Sequence, residues 1–176
     1  MNYLQFSRIM IVLLMVALFS CNTTSIQLEA NKDLIIRFTA ATNAADWDAF
    51  NELLTDDFLR HCQATPDVQI NSREEFIKLQ KSFLNSMPDQ KITAEMLIAE
   101  GDKVAAYATY SGTLTGSMGN FPATGKSAES KFITIFRIEE AKIAEIWVEW
   151  DNLAMLTQLG LFPPPENSME KISQVV

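Results

Sequence analysis

The feature that most constrains the fold of this chain is a change in its hydrophobic period near residue 90. From Ile92 to Trp150, apolar and polar residues alternate in successive segments, which is the spacing of β-strands. The segment Glu100–Lys103 has the composition of a tight hairpin turn between two of them. Upstream of residue 90, apolar residues recur mainly at the spacing of helices. Helices followed by a strand meander predict an α+β fold, with a curved antiparallel sheet wrapped over N-terminal helices.

Three helices are predicted before the meander. The first covers Leu28–Ala45, and a second, short helix follows with Asp46 as its N-cap. The third opens at Ser72 with a capping-box pattern and stops before Pro88. Between the second and third helices, Asp57–Gln63 is predicted as a strand, with one face formed by Phe58, Arg60 and Cys62.

Two strands of the meander have faces that can be assigned from alternation. In the first strand, one face should carry the apolar side chains of Ile92, Ala94, Met96 and Ile98. In the last strand, one face should be plain core, formed by Ala144, Ile146, Val148 and Trp150. The opposite face carries Glu145, Trp147, Glu149 and Asp151. A row of carboxylates and an indole at a strand end suits a half-open pocket, so we expect the pocket there.

The composition argues for one globular domain and against nucleic acid as a partner. Of 176 residues, 48% are apolar, and the net charge of -8 reflects 14 basic against 22 acidic residues. Phosphate backbones are bound by clustered basic residues, and the sequence has no such cluster.

The first twenty residues resemble the signal sequence of a bacterial lipoprotein. Arg8 precedes an uncharged apolar run, Ile9 to Phe19, which is too short for a membrane-spanning helix. The run ends in Leu18-Phe19-Ser20-Cys21, which is similar to a lipobox with Cys21 as the lipidated residue. The resemblance implies attachment to the membrane through Cys21 and a location in the cell envelope, facing the periplasm or the exterior. An ordinary signal peptide is the alternative.

These features divide the chain into four parts. They are a signal peptide at residues 1–20, a tether at 21–27, one domain at 28–162 and a C-terminal tail at 163–176.

Three local patterns in the domain resemble the SnoaL-like polyketide cyclase and ester cyclase family, which has the cone-shaped NTF2-like fold. The first runs from Asp46-Trp47-Asp48-Ala49-Phe50 to His61. The second is a hairpin pattern of the form GT…G…PxTGK within Ser111–Lys126, and the third is ExWxxxD…LxxQLG within Glu145–Gly160. Together they span residues 30 to 162. The chain departs from the family in having Leu114 where a histidine often follows Gly-Thr, and in having no histidine after His61.

The resemblance implies an aldol-type ring closure in which Asp151 acts as acid and base. Proton transfer next to a carbonyl needs a carboxyl group whose pKa approaches the working pH, which apolar burial favours. Glu149 and His61 are the expected helpers. Capping of the last helix is the structural alternative for Asp151, and an exposed strand position is the alternative for Glu149. The expected pocket walls, each of which could instead be core, are Trp147, Tyr107, Tyr110 and Phe121.

Other kinds of site are not expected. A nucleophilic Cys62 is disfavoured because its neighbour His61 points to the opposite face of a strand. Gly125-Lys126-Ser127 lacks the glycine spacing and the following helix of a phosphate loop. One histidine and two cysteines do not suggest a transition-metal site, and no cofactor is expected.

Two further hypotheses compete with catalysis on an apolar carbonyl or ester compound. The domain could bind a small apolar molecule without converting it. It could also serve as a dimerisation scaffold, because cone-shaped domains of this kind often pair through the open face of the sheet.

Overall fold

The computed structural model describes residues 25–162. The predicted signal peptide, Cys21 and the tail at 163–176 lie outside the described residues. Helix α1 covers residues 25–44, so the last three residues of the expected tether are helical. None of the described helices is both long enough and apolar enough to cross a membrane.

The second helix is shorter than predicted. Asp46 Oδ1 accepts a hydrogen bond from Ala49 N at 3.2 Å, so Asp46 caps a turn and not the helix itself. Helix α2 is the single turn Phe50–Leu53. Leu54 is already extended, and strand β1 therefore covers Leu54–His61 and begins three residues before the predicted start.

The third helix follows its sequence signals. Helix α3 covers Arg73–Ser86, and Ser72 Oγ accepts a hydrogen bond from Glu75 N at 3.2 Å. Glu75 Oε2 in turn accepts from Asn71 N at 2.8 Å. This reciprocal pair satisfies two backbone donors near the start of the helix. The helix ends before Pro88, as predicted.

Five strands form one mixed sheet. After β1 come β2 (Lys91–Glu100), β3 (Lys103–Thr113), β4 (Ser127–Glu139) and β5 (Lys142–Trp150), in the spatial order β1-β5-β4-β3-β2. The four meander strands pair antiparallel, as expected, whereas β1 pairs parallel with β5. A parallel pair needs a long connection, which the intervening chain provides. Helix α4, Asn152–Gln158, closes the described chain. The α+β prediction with an NTF2-like cone is confirmed.

A β-bulge changes the sidedness of β2. The register with β3 shifts between Ala94 and Met96, which leaves one extra residue on β2. Ala94 faces the inside of the cone, but Met96 is 51% exposed and Ile98 59% exposed. The expectation that one face carries Ile92, Ala94, Met96 and Ile98 is therefore wrong for its last two members. Leu97 and Ala99 pack against the core in their place.

Two buried clusters divide the interior. The larger lies between the helices and the sheet and includes the rings of Phe38, Phe50 and Phe76, whose centroids lie 5.4 to 6.2 Å apart. The smaller includes Met87, Tyr110 and Leu159 and lies at the other end of the sheet. Helix α4 is fixed there by two hydrogen bonds between the Gln158 amide and the Glu129 backbone, at 2.9 and 3.0 Å.

Candidate functional site

The inner face of the sheet encloses two adjoining chambers. The inner chamber, about 70 Å³, lies among α1, α3 and the sheet. The outer chamber, about 430 Å³, lies between α3, the loop at residues 118–121, and α4. Four residues contribute to the walls of both: Arg60, Phe83, Tyr110 and Trp150. These residues mark the boundary between the chambers.

The outer chamber is mostly apolar. Its wall includes Phe83, Met87, Met118, Phe121, Met155 and Leu156. The polar groups in the wall are few, and they include Thr65, Asn120 and Asn152. Of the predicted pocket residues, Tyr110 and Phe121 line this chamber. A mainly apolar wall with a few polar groups is typical of a small-molecule site.

Trp150 belongs to the cavity wall, although alternation assigned it to plain core. Its ring stacks on Phe132 with centroids 4.4 Å apart and meets Tyr110 edge-on at 5.5 Å. Ile146 and Val148, on the same face of β5, line the inner chamber. The face predicted to be core is thus the one that faces the cavity. Alternation correctly predicts which residues share a face of the strand. It does not predict which of the two faces lines a cavity.

The Tyr110 hydroxyl group is held at the boundary of the chambers. It donates to Gln90 Oε1 at 2.9 Å and lies 3.4 Å from Met87 Sδ. Burial, reinforced by the negative charge of Asp89, raises the pKa of Tyr110 well above its ordinary value. The hydroxyl group is therefore protonated at physiological pH and can only act as a neutral hydrogen-bonding group.

The opposite face of β5 lies on the outside of the sheet, which corrects the expected position of the pocket. Glu149 is exposed and pairs in register with Ile133 of β4. Trp147 stacks on the exposed His61, with ring centroids 5.3 Å apart and planes 13° apart. Neither Trp147 nor Glu149 contributes to the wall of either chamber. The carboxylate row faces outward because the curved sheet encloses its hollow on the Ile146 and Val148 side.

His61 forms a pair with Glu145 on this outer face. Its Nε2 lies 2.7 Å from Glu145 Oε1, while Arg137 Nε donates to Glu145 Oε2 at 2.9 Å. Burial pushes the pKa of Glu145 upward, but the hydrogen bonds from Arg137 and His61 outweigh burial, so this pKa lies below the ordinary glutamate value. His61 forms no hydrogen bond with Asp151 or Glu149.

Asp151 lies at the hinge between β5 and α4. Its Oδ1 accepts a hydrogen bond from Ala154 N at 2.9 Å, which is an N-cap bond. The residue is exposed and does not contribute to the wall of either chamber, although both of its neighbours, Trp150 and Asn152, do. The capping alternative describes the geometry of Asp151, and its catalytic role stays a prediction.

Tyr107 also lies outside the cavity. It occupies the outer face of β3, where Lys131 Nζ approaches its ring centroid at 5.9 Å. Lys131 in turn pairs with Glu95, the carboxylate at the β2 bulge, and lowers the pKa of that carboxyl group. Tyr107 therefore packs among charged groups of the outer face and is not a pocket wall.

Arg60 is a candidate site residue that the sequence patterns did not single out. Alternation places Arg60 between Phe58 and Cys62 on one face of β1, and a charge on a face that is otherwise apolar is itself a signal for a site residue. Arg60 is 8% exposed and is the one charged residue in the walls of the two chambers as the structure describes them. Within residues 25–162, no group of three His, Cys, Asp or Glu side chains is placed to hold a metal ion.

Comparison with solved structures gives the same fold. IdmH from Streptomyces antibioticus, described as a candidate polyketide cyclase, is 27% identical, with coverage of 74% of this chain and 98% of its own, and a TM-score of 0.66. TsrD from Streptomyces laurentii is 29% identical over 75% and 96% of the two chains, with a TM-score of 0.67. A candidate SnoaL-like polyketide cyclase from Jannaschia sp. CCS1, at 21% identity over 78% and 94%, has a TM-score of 0.69 and supports the fold alone.

Comparison at the sequence level identifies the family. No protein of curated function matches the chain significantly. The model of SnoaL-like polyketide cyclases matches residues 32–159, which is more than half of the chain. This range includes all of the described strands and every residue in the walls of the two chambers. The chain therefore belongs to the SnoaL-like polyketide cyclase family.

Proposed function

We propose that this chain binds a small, largely apolar molecule in the outer chamber of its cone. The observation that carries this proposal is the chamber itself, about 430 Å³ in volume and walled mainly by aromatic, methionine and leucine side chains. Sites for small molecules in proteins typically have volumes of about 300 to 1,000 Å³. Burial of an apolar ligand there contributes roughly 25 cal/mol per Å² of apolar surface removed from water.

Cys62 provides a direct test because its thiol group lies in the wall of the outer chamber. A molecule retained by the purified full-length chain should be detected by native mass spectrometry. It should also slow alkylation of Cys62 by N-ethylmaleimide, followed by peptide mapping to separate Cys62 from Cys21. Unfolding the chain should release the molecule and abolish the protection.

A filled chamber gives the matched control for this test. Ala64→Trp is designed to fill the outer chamber with an indole and should abolish retention, so that the reactivity of Cys62 no longer depends on a bound molecule. Ala40→Trp adds the same side chain at an exposed position of α1 and should change neither. Equal retention in the two variants would show that the molecule binds elsewhere and would contradict the proposal.

Acid and base catalysis by Asp151 on an apolar carbonyl or ester compound is the second candidate function. Its support is membership of the cyclase family, together with the position of Asp151 between two residues of the outer chamber wall, Trp150 and Asn152. A molecule bound against Trp150 would lie within reach of the carboxyl group after a small movement of the hinge. His61 and Glu149 remain proposed helpers, although both belong to the outer face of paired strands, which a movement of this hinge does not turn inward.

The substitution Asp151→Asn tests this second function cleanly. Asparagine is as good an N-cap as aspartate, so the hinge keeps its structure while the proton-transferring group is lost. Turnover of a panel of aryl esters and aromatic ketoesters by the full-length chain should fall by about 100-fold or more, the contribution typical of a general acid or base. Unchanged turnover would assign any activity to another group.

The N-terminal sequence supports a proposed location in the cell envelope, with the chain anchored through a lipid on Cys21. Incorporation of an alkyne-labelled fatty acid into the chain in the bacterial host should depend on this residue. Cys21→Ser should abolish labelling, and Cys62→Ser should leave it unchanged. Labelling that persists in Cys21→Ser would contradict the proposed anchor.

A further inference from the structure

Arg60 is buried at the boundary between the two chambers. Its backbone is paired on both sides, by the parallel register with Ile146 of β5 and by a hydrogen bond from Arg60 N to Ile70 O at 3.1 Å. These bonds fix the strand, so the side chain is directed to the inner face beside Phe58 and Cys62. Arg60 lines both chambers, so its guanidinium group lies at the inner end of the outer chamber. One end of a ligand in that chamber would contact it there.

The guanidinium group has little to bind within the described part of the chain. Its one side-chain hydrogen bond is from Nη1 to Thr65 Oγ1, and this bond is long, at 3.3 Å. No carboxylate of residues 25–162 lies within ion-pair distance of it. Nε and Nη2 donate to no described residue, yet neither is sealed within the protein. A guanidinium group has five N–H donors, so most of them are left to the cavity.

A buried charge with so few partners is unfavourable unless something else compensates it. Proteins ordinarily pair a buried arginine with a carboxylate, because removal of the charge from water is costly. Here the walls of both chambers contain no acidic residue among those described. The missing partner is thus expected in the cavity, not in the wall. A planar guanidinium fork matches a carboxylate with two parallel hydrogen bonds.

We infer that the ligand of this cavity is an apolar carboxylic acid, bound as its carboxylate by Arg60, with its apolar body in the outer chamber. This inference rests on the proposed binding function and names its ligand class. One cation in an otherwise uncharged wall favours a monoanion over a phosphate dianion. Phe83, Trp150 and Met155 supply the apolar surface, and the inner chamber, at about 70 Å³, has room for only a few atoms beyond the carboxylate.

A matched pair of probes tests the inference. Naphthylacetate carries a carboxylate, and naphthylacetamide has the same shape without the charge. In isothermal titration of the purified full-length chain, naphthylacetate should bind about tenfold or more tightly than the amide, as expected for a charge-assisted bidentate pair. In Arg60→Gln this ratio should fall to about one, through loss of carboxylate affinity with little change for the amide. Arg60→Lys should give an intermediate ratio, because a lysine keeps the charge but not the fork.

The outcomes separate the inference from the function on which it rests. If both probes bind the wild-type chain equally well, and Ala64→Trp abolishes both, the binding function stands and the carboxylate inference is overturned. If neither probe binds, both are overturned. If the ratio is high but persists in a folded Arg60→Gln variant, another group recognises the carboxylate and the inference is again overturned. The wild-type ratio decides the charge preference even where a variant fails to fold.

Discussion

His61 and Glu145 meet on the outside of the sheet, with Nε2 and Oε1 2.7 Å apart, on the face opposite the cavity. The contact joins β1 to β5, the one parallel strand pair of the sheet, and Arg137 extends it to β4. The family resemblance predicted that His61 lies in the pocket. It is instead part of a charged cluster that connects three strands.

Substitution Glu145→Gln should weaken this cluster. We expect a loss of about 1 kcal/mol in the free energy of unfolding at neutral pH, because the pair is near the surface and water screens it. The lowered pKa of Glu145 gives the sign of its pH dependence. Its stabilisation is complete above the ordinary glutamate pKa of about 4.3 and is lost as the pH falls below that value. Urea unfolding of the wild type and of Glu145→Gln between pH 3 and pH 7 measures this contribution to the free energy of unfolding.

The control is Glu149→Gln on the same strand, since Glu149 forms no ion pair with a described residue. It should leave the pH dependence unchanged. If the free energy of unfolding fell equally at low pH in the wild type and in Glu145→Gln, a stabilising role for the cluster would be contradicted.

Loss of the cap at the β5–α4 hinge should be measurable without any substrate. Asp151→Ala removes the acceptor of the Ala154 N–H and should destabilise the chain by about 1 kcal/mol. Asp151→Asn should lower the free energy of unfolding by only a small part of this amount, because asparagine also caps a helix. Thermal unfolding by circular dichroism compares the two. Equal destabilisation by both variants would indicate that the charge and not the cap matters.

Gly116 packs too closely on helix α3 for any side chain. A Cβ atom there would lie 2.3 Å from the Asn85 carbonyl oxygen, and Gly116 N donates to Ser86 O at 2.9 Å. Gly116→Ala should therefore move the loop away from α3 and lower the free energy of unfolding by about 1 to 3 kcal/mol. Chemical denaturation measures this, with the exposed neighbour Ser117→Ala as the near-neutral control. A neutral Gly116→Ala would mean that the loop moves without losing contacts.

The outer face of the sheet carries an apolar patch made of Met96, Ile98, Ile133 and Ile135. The register places Met96 and Ile133 on either side of Tyr107, so the patch runs across three strands. Exposed apolar patches of this kind mark interaction sites, and a second copy of the chain is the proposed partner. We expect concentration-dependent dimers in sedimentation velocity, which Ile133→Lys should convert to monomers.

Ile36→Lys is the matched control for the patch, because Ile36 is similarly exposed, at 54%, but lies on α1. It should leave the dimer intact. A monomeric wild-type chain at high concentration would exclude the dimerisation scaffold.

Sequence periodicity predicted most of the fold because it reports local geometry. The capping signals of Ser72 and Glu75, the stop before Pro88 and the alternation from Ala144 to Val148 depend on neighbours in the chain, and the structure agrees with each. The parallel pairing of β1 could not be predicted this way. It depends on which sheet edge is free once the meander has formed.

The candidate site was harder to predict because alternation defines two faces but does not say which is hollow. The acidic face of β5 looked functional by its chemistry, yet Ile146, Val148 and Trp150 face the cavity. Arg60 could have been found, since a charge between Phe58 and Cys62 breaks an apolar face. The β2 bulge had no such signal, because Met96 and Ile98 continue the alternation in sequence.

That bulge lets a single strand serve two surfaces that can change independently. Residues of β2 before Glu95, such as Ile92 and Ala94, set the shape of the inner chamber. Met96 and Ile98, after it, set the character of the outer apolar patch. Substitutions a few positions apart on β2 can thus change the ligand that the cavity binds without changing the partner that the outer patch binds, or the reverse. Deletion of the extra residue, Glu95, would leave both surfaces in place, because Ala94 and Met96 would then follow each other with the ordinary alternation of a strand.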